Sequence, residues 1–435
     1  MATVRPTLPP GPRMPGAVQG IQFLLKEFEL LERCRKRYGD VFTLRMWPFG
    51  ELVVLSDPAL LKDVFTQPPT TLHAGEGNGT FEPMVGPRSI MMLDEDPHLE
   101  QRKLLSPPMH GDRMRVYADL MREIADEQIE QWQLGSTFKL LPSFQAIALR
   151  VIIRAVFGVD RARDVERLET LILRMIELGD WVTMLPLLRR DLGRRSPWGR
   201  FLRARAAADA VIYEHLAKRR SEESGDRSDV LSLLLRARHA DGRPMSDQEL
   251  RDELMTLLIA GHATTAAATA WSMERILRHP PVLDRLRAEL HSDHDQYLSS
   301  VITEVLRCRP VISFAVRQVK RPASVGSWTI DPGVVVGSSA YLTHTRPDVY
   351  PDPFTFRPER FEQEAPGTYS YVAFGGGIRR CLGSAFARFE TQVVVRRILE
   401  RCTFSLPDPA PEPERRQGVV HQPARGARVR LESRT

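Results

Sequence analysis

The sequence has few cysteines and no long hydrophobic segment. Its 435 residues include four cysteines, which form no C-x-x-C pair and no disulfide-like framework: Cys34, Cys308, Cys381 and Cys402. This pattern excludes a disulfide-stabilised scaffold and fits a reducing cytoplasm. No run reaches the about 18 to 20 apolar residues of a membrane span. Residues 1–16 are rich in proline and lack the apolar core of a secretory signal.

A strong charge imbalance is also absent. The 61 Lys and Arg residues are nearly matched by 55 Asp and Glu residues, which leaves a net charge of +6, and no basic block with interleaved aromatic residues occurs. The balance therefore predicts a mixed, solvated surface rather than nucleic-acid binding. With 42% hydrophobic and 27% charged residues, the composition is that of a globular protein with a large core.

The most informative stretch is F-G-G-G-I-R-R-C-L-G at residues 374–383. The residues that follow, 384–401, have the periodicity of an amphipathic helix, so Cys381 would lie at a helix N-terminus, where a thiolate is favoured. Three glycines allow positive φ angles and close approach of another group. Phe374 offers a flat apolar face and Arg379 a guanidinium, which together suit a planar ligand that carries carboxylates.

A planar ligand of this kind that coordinates a thiolate is a haem. The spacing Phe-x-x-Gly-x-Arg-x-Cys-x-Gly resembles the haem-ligand loop of cytochromes P450, and a chance match of five fixed positions is expected in about one chain in ten thousand. The resemblance implies that Cys381 binds the iron of haem b. It also implies that Phe374, Gly375, Arg379 and Gly383 contact the haem.

The resemblance runs from about residue 35 to the C-terminus and implies a mainly α fold with a small β region. Length alone would suggest two or three domains, but the family fold predicts one haem domain over 21–435, preceded by a proline-rich segment over 1–20. In membrane-bound members an anchor helix precedes such a proline cluster. Its absence here leads us to expect a soluble, bacterial-type, cytoplasmic and monomeric protein.

Further haem contacts follow from the resemblance. His98 and Arg102 are four residues apart and share a helix face. By themselves they could equally be a surface pair, but the family has His-x-x-x-Arg here with both side chains on haem propionates. Residues 309–320 resemble the strand that passes the haem edge, from which Arg317 would reach a propionate.

A long helix is predicted from the capping-box residues Ser246 and Glu249 to the residue before Pro280. Its middle, A-G-H-A-T at residues 260–264, resembles the oxygen-activating stretch of P450s. Thr264 is the expected catalytic residue, and Ala260 the expected haem contact.

One position in that stretch departs from the family. Ala263 stands where the family usually has the carboxylate that shares proton delivery with the threonine. Fungal nitric-oxide-reducing P450s also have alanine there. His262 is a poor substitute for the lost acid, because helical geometry turns it about 200° from Thr264. We attribute the mid-helix glycine, Gly261, to close approach of a ligand.

A structural triad is expected from two motifs about fifty residues apart. Glu304 and Arg307 are three apart on a predicted helix over 297–307, and Arg360 lies in P-E-R-F at residues 358–361. Glu-x-x-Arg alone is common on exposed helices. In the family the three residues form a buried ion-pair cluster, and the order and spacing match.

The rest of the chain yields coarser expectations. Helices are predicted over 18–38 and through most of 116–235, with a break at 180–198. Strands are predicted over 40–55, a long loop over 68–88 and an exposed connection over 222–229. Residues 416–425 resemble the last pocket-lining turn of the family, and an ordinary exposed hairpin fits them equally well. The expected substrate-pocket residues are Met91, Ala260, Ala263, Val311, Phe314, Ala315 and Val419.

The resemblance implies a monooxygenase that hydroxylates or epoxidises a lipophilic molecule (fatty acid, terpenoid, steroid or polyketide-like) with O2. Electrons would come from a separate ferredoxin and ferredoxin reductase. An excess of arginine on or beside the cysteine-loop helix would attract an acidic carrier: Arg379, Arg380, Arg388, Arg396, Arg397 and Arg401. Two alternatives remain open: nitric oxide reduction or peroxide-driven oxidation, because of Ala263, and a non-catalytic haem-binding protein.

Overall fold

The computed structural model describes residues 8–47, 50–109, 114, 116–159, 161–183, 188–190, 192–222, 229–292 and 295–435. Helices dominate these residues and the strands are short, as predicted. The helices are α1 Gly16–Leu25, α2 Glu27–Tyr38, α3 Pro58–Thr66, α4 Ala74–Gly77, α5 Glu82–Val85, α6 Glu95–Leu105, α7 Val116–Glu130, α8 Leu140–Phe157, α9 Ala162–Val182, α10 Pro197–Ser221, α11 Val230–Arg236, α12 Asp247–Arg278, α13 Pro280–Glu289, α14 Gln296–Cys308, α15 Ala340–His344 and α16 Ser384–Arg401.

The strands are β1 Val41–Met46, β2 Gly50–Leu55, β3 Leu72–His73, β4 Thr137–Lys139, β5 Phe314–Val319, β6 Ala323–Val325, β7 Trp328–Ile330, β8 Val335–Ser339, β9 Cys402–Ser405, β10 Glu414–Gln417, β11 Val420–Pro423 and β12 Arg428–Arg434. The chain forms two compact units. The first unit comprises Met1–Gly79, Asp94–Asp96 and Ser300–Cys381, and the second comprises Thr80–Leu93, Pro97–Ser299 and Leu382–Thr435.

The first unit is built on a five-stranded sheet with the order β1-β2-β8-β5-β3. Both faces of this sheet are covered. Val53 and Leu55 of β2 belong to one apolar cluster and Leu52 and Val54 to another, because successive strand residues point to opposite faces. The same alternation fixes the direction of each side chain of β5.

The N-terminal part of the first unit agrees with the predicted order of a helix followed by a hairpin. The predicted helix is divided into α1 and α2 at Lys26, whose φ of −145° and ψ of 51° are not helical. β1 and β2 pair antiparallel from Val41 opposite Leu55 to Met46 opposite Gly50. The preceding proline-rich segment packs on this hairpin, where the Pro10 carbonyl accepts from the Thr43 amide at 3.0 Å.

The second unit is organised around α12. This helix has 32 residues and begins with the predicted capping box, in which the Ser246 and Glu249 side chains each bond the other residue's backbone amide. The helix packs against α8, α16 and the β10–β11 hairpin. Twenty of its residues are buried, so its core position is set by apolar and small side chains on several faces.

One described helix, α8, is long and apolar enough to cross a membrane by length and composition alone, although the sequence was expected to contain no such segment. Of this helix, 72% is buried inside the protein, which is typical of a core helix. α8 lies against α12, so packing within the protein accounts for its apolar composition.

Other expectations are met in part. The predicted loop over 68–88 contains β3, α4, a 3₁₀ turn at Gly79–Phe81 and α5, so it is more ordered than its composition suggested. The predicted break after residue 180 begins where α9 ends at Val182, but Pro186 lies outside the described residues. Of the predicted connection over 222–229, only residues 222 and 229 are described.

Candidate functional site

The cysteine-containing loop lies at the end of the first unit. It contains a 3₁₀ turn over Gly377–Arg379, and the Cys381 amide donates to the Phe374 carbonyl at 2.9 Å, which closes the loop. Cys381 is exposed. The next helix, α16, begins at Ser384 and ends at Arg401, as predicted.

The other three cysteines are unsuited to bind a metal. Burial raises the pKa of Cys34 and Cys402 to about 11 and that of Cys308 to about 12. All three therefore stay protonated at neutral pH, whereas a metal ligand must be a thiolate. Cys381 is thus the one exposed thiol among the four.

The glycines of the loop are required by its packing on α3. A Cβ atom at Gly376 would lie 2.4 Å from a ring carbon of Phe65, and one at Gly377 would lie 2.2 Å from the Phe65 carbonyl oxygen. Gly375 and Gly377 also have φ angles of 67° and 64°, which disfavour other residues. These contacts fix the course of the backbone ahead of Cys381.

Two arginines, Arg317 and Arg379, line a small cavity beside the loop, together with Phe65, Asp94 and Glu95. Arg379 donates to Asp94. Arg317 is buried and donates to the Val316 carbonyl at 2.8 Å. Among the described residues no carboxylate lies within ion-pair distance of Arg317, and burial, with the Arg379 charge, lowers its pKa to about 10. The cavity therefore has two guanidinium groups and two carboxylates, but Asp94 is bonded to Arg379 and Glu95 to His73. A carboxylate from a ligand such as haem would compensate the buried charge of Arg317.

The acidic and histidine residues that hold this cavity together were not predicted from the sequence. Asp94 accepts from the amides of Gly75 and Glu76 at 2.9 and 3.0 Å, in addition to Arg379. His73 lies between Glu76 and Glu95, with nitrogen-to-oxygen distances of 3.0 and 2.9 Å. The acidic run ahead of His98 was the available sequence signal.

On α6 of the second unit, His98 is buried and Arg102 is half-buried. They lie one turn apart, as predicted. The middle of α12 presents its accessible face at Ala260, which is exposed, and at Ala263 and Thr264, which are half-buried. The Thr264 hydroxyl donates to the Ala260 carbonyl at 2.5 Å, so it turns back onto its own helix.

Two residues of this helix have roles in packing. A Cβ atom at Gly261 would lie 2.8 Å from Cδ1 of Ile152 on α8, so the glycine also allows close packing of α12 on α8. Approach of a ligand to Gly261 stays a prediction. His262 is also buried, and this burial lowers its pKa to about 4. A hydrogen bond with the Gln145 backbone opposes the shift. Since Gln145 belongs to α8, His262 faces α8 and does not replace the missing acid.

The three residues of the predicted triad lie together in the first unit. Glu304 and Arg307 have fully buried side chains and form two contacts of 2.7 and 2.8 Å, and Arg360 Nε lies 3.4 Å from Glu304 Oε1. Arg307 also donates to the carbonyls of His344 and Pro353, each at 2.8 Å. The cluster joins α14 to the segment that leads to the cysteine loop.

The expected pocket residues do not all lie on one face. Ala315 approaches the loop, because a Cβ atom at Gly375 would lie 3.6 Å from its methyl group. Phe314 points to the opposite face of β5, where its ring centroid lies 5.7 Å from that of Phe23. Val311 is buried.

Met91 is half-buried, and Val419 lies in the turn between β10 and β11. The hairpin packs on α12, where the Trp271 indole donates to the His421 carbonyl at 3.2 Å.

The predicted basic face is largely neutralised within the second unit. Arg396 pairs with Asp295 and Glu400, Arg397 with Asp126 and Glu400, and Arg401 with Asp126 and Glu130. Arg388 donates to the Ser299 hydroxyl at 3.2 Å. The arginine excess on α16 is therefore an ion-pair network, and the expectation of a free basic surface there was wrong. Glu400 lies on α16 itself, whereas Asp126, Glu130 and Asp295 lie far away in sequence.

Known proteins resemble this chain over nearly its whole length. A family model described as Cytochrome P450 matches residues 9–429. The putative cytochrome P450 138 of Mycobacterium tuberculosis is 39% identical over 429 residues, which cover 98% of this chain and 97% of that protein. The putative cytochrome P450 135B1 of the same species is 38% identical over 431 residues, which cover 98% and 91%.

A solved structure, retinoic acid bound cyanobacterial CYP120A1, is similar with a TM-score of 0.85 and 25% identity, and the match covers 99% of this chain and all of that one. The predicted fold is thereby confirmed. The matched span, 9–429, includes the exposed thiol, the cavity lined by Arg317 and Arg379, and the helix with Thr264. The chain belongs to the cytochrome P450 family, whose members are oxidoreductases that act as monooxygenases with a haem-iron cofactor.

Proposed function

We propose that this protein is a haem b monooxygenase that inserts one oxygen atom of O2 into a lipophilic small molecule, as a hydroxyl group or an epoxide. The observation that carries the proposal is the exposed Cys381 in a loop whose glycines are fixed against Phe65. Beside this loop lies a cavity lined by the buried Arg317, which has no carboxylate within ion-pair distance among the described residues. When bound, the haem iron supplies the oxygen-activating chemistry, favoured by an axial thiolate.

The chain's residues would hold the haem by charge and by contact. Cys381 would provide the thiolate ligand, and Arg317 and Arg379 would bind propionates through charge-assisted hydrogen bonds. We assign the same role to His98 and Arg102. The remaining proposed haem contacts are Phe374, Gly375, Gly383 and Ala260.

Thr264 is proposed to position the water that delivers protons. Its hydroxyl proton is donated to the Ala260 carbonyl, so its oxygen can accept a hydrogen bond from a water molecule without donating one. Ala263 contributes no carboxylate beside it. Proton delivery would therefore depend on ordered water held by Thr264 rather than on an acid–alcohol pair.

The substrate is proposed to be lipophilic, with fatty acids, terpenoids, steroids and polyketide-like molecules as the candidate classes. The proposed pocket residues have apolar side chains: Met91, Ala260, Ala263, Val311, Ala315 and Val419. The solved relative is described as bound to retinoic acid, a lipophilic carboxylic acid, which favours isoprenoid-like molecules as the first class to test.

We propose that the protein acts as a cytoplasmic monomer with residues 21–435 as one haem domain, and that it receives electrons from a ferredoxin and its reductase. The family generally uses redox partners. Because the arginines of α16 are paired internally, the carrier would bind mainly by shape and by local contacts near the loop, with a weak dependence on salt.

Ala263 favours a second candidate function, in which the protein reduces nitric oxide or uses peroxide. In that case NADH with nitric oxide, or peroxide alone, would support turnover without ferredoxin. A non-catalytic haem carrier would show no turnover in either assay.

The proposal is tested by spectral titration of the ferric protein with retinoids, fatty acids, terpenes and steroids, followed by product analysis with a surrogate ferredoxin and reductase. Displacement of water from the iron by one class, and a product heavier by one oxygen atom, are the expected results. Oxidation only with peroxide, or NADH consumption only with nitric oxide, would support the second candidate. Absence of turnover under all three conditions would favour the carrier.

A further inference from the structure

Large apolar side chains are exposed together near the start of the first unit. Four lie on α1, where Val18, Ile21, Leu24 and Leu25 are 40%, 57%, 48% and 77% exposed, and Trp47 at the end of β1 is 66% exposed. These five residues are here called the α1 patch. Monomeric proteins seldom expose contiguous apolar surface of this kind unless it binds something.

The orientation of α1 explains how the α1 patch arises. Gln19 and Gly20 are buried, and Phe23 packs on Phe314, so this side of the helix faces the sheet. A Cβ atom at Gly16 would lie 3.6 Å from Cβ of Trp47, which places the tryptophan at the start of the helix. With 100° between successive residues, the four apolar residues share the outward arc of about 120°.

The composition of α1 excludes an ordinary solvated helix. Its ten residues, GAVQGIQFLL, contain no charged side chain. A surface helix of a globular protein normally turns charged and polar residues outward and apolar residues inward. Here the outward arc is apolar, and the sheet-facing side contains Gln19, Gly20 and Phe23.

From this arrangement we propose that the α1 patch docks on the surface of a lipid membrane. The helix has ten residues and a length of about 15 Å, whereas the hydrocarbon core is about 30 Å thick, so it can lie in the interface and cannot span it. Tryptophan is enriched at this depth, where its ring is apolar and its N–H stays hydrated. Such docking would bring the enzyme to the phase in which lipophilic substrates dissolve.

The surrounding charges favour an anionic membrane. The exposed charged side chains within residues 13–33 are Arg13, Lys26, Glu29 and Arg33, which give three cations for one carboxylate. Cations at the edge of an interfacial helix bind acidic headgroups. A second copy of the chain fits less well, because the α1 patch has five residues and a stable interface needs about 20 to 30 residues on each side.

The test is co-sedimentation of the holoenzyme with vesicles of phosphatidylcholine, with and without phosphatidylglycerol. The double variant Ile21→Glu/Leu25→Glu is expected to lower the partition coefficient about tenfold or more. The matched control is Leu134→Glu/Leu173→Glu, since these leucines are 61% and 42% exposed elsewhere in the chain. The control is expected to bind vesicles as the wild type does, more strongly with phosphatidylglycerol present.

Tryptophan fluorescence provides a second measurement. Vesicles are expected to shift the emission of the wild type to shorter wavelength, and Trp47→Phe is expected to remove that shift. Equal partition of the wild type and the α1 double variant would overturn the proposal, as would a wild-type dimer that the double variant dissociates. The reduced carbon monoxide spectrum of each variant reports haem binding separately, so failure of docking and failure of the proposed function are distinguished.

Discussion

The buried ion-pair cluster around Glu304 allows a quantitative prediction. The Glu304 carboxylate accepts two hydrogen bonds from Arg307 and one from the Arg357 amide at 2.9 Å, and Arg360 lies 3.4 Å away. Glu304→Gln keeps the shape of the side chain and removes its charge. The guanidinium of Arg307, which is fully buried, then faces a neutral amide.

The loss in the free energy of unfolding expected for Glu304→Gln follows from the burial of Arg307. Removing one partner of a buried pair costs about 3 to 5 kcal/mol, because the remaining charge has been taken out of water without compensation. The glutamine carbonyl can still accept one hydrogen bond, so we expect the lower end, about 3 kcal/mol. Arg307 also holds two backbone carbonyls ahead of the cysteine loop, so haem should dissociate faster from the variant.

The assay is chemical unfolding followed by circular dichroism, together with the rate of haem loss. Glu29→Gln is the control, because Glu29 makes the same kind of three-residue pair with Lys26, yet the two side chains are 66% and 63% exposed. The free energy of unfolding of the control should fall by about 0.5 kcal/mol or less. A Glu304→Gln variant as stable as the control would refute the reasoning.

Three other changes test the site and its surroundings. Ala263→Glu restores a carboxylate next to Thr264 and is expected to raise the fraction of consumed electrons that are recovered in the oxidised product. The same fraction in the variant and the wild type would count against slow proton delivery. Arg317→Leu should weaken haem retention by about 10- to 100-fold, measured by transfer of haem to apomyoglobin. The haem-free variant should be at least as stable as the haem-free wild type, because the substitution removes a buried cation. An unchanged haem affinity would contradict the assignment of Arg317 to a propionate. Glu253→Gln tests pH dependence. Burial raises the pKa of Glu253 from 4.5 to about 8, so the folded state binds this proton more tightly and stability falls as the pH rises between those values. The free energy of unfolding of the variant should equal that of the wild type near pH 4.5 and exceed it at pH 8 by a few kcal/mol. The slopes of the two free energies against pH should differ by at most about 1.4 kcal/mol per pH unit. The same pH dependence in both proteins would refute this prediction.

Local signals made several parts of the fold predictable. The capping box at Ser246 and the absence of proline before Pro280 defined α12, and the periodicity after the cysteine loop gave the bounds of α16. Glu304 and Arg360 could be paired because their motifs match a family in order and spacing. In these cases the information lies within one short segment or in a resemblance.

Features that depend on distant packing were missed. The arginines of α16 looked like a free basic surface because their partner Asp126 comes 271 residues earlier than Arg397. The packing role of Gly261 was missed because Ile152, which it contacts, lies on another helix. The face on which Phe314 lies depends on the register of β5 against β8, which no short-range pattern gives.

The central claim is that the thiolate of Cys381 binds the haem iron, and the carbon monoxide spectrum of the reduced protein tests it most directly. The wild type and the control Cys308→Ser should show the Soret band at the wavelength typical of thiolate-bound haem. Cys381→His should retain haem and move the band to the wavelength typical of histidine ligation. A wild-type spectrum without the thiolate band, or the same band in Cys381→His, would contradict the account.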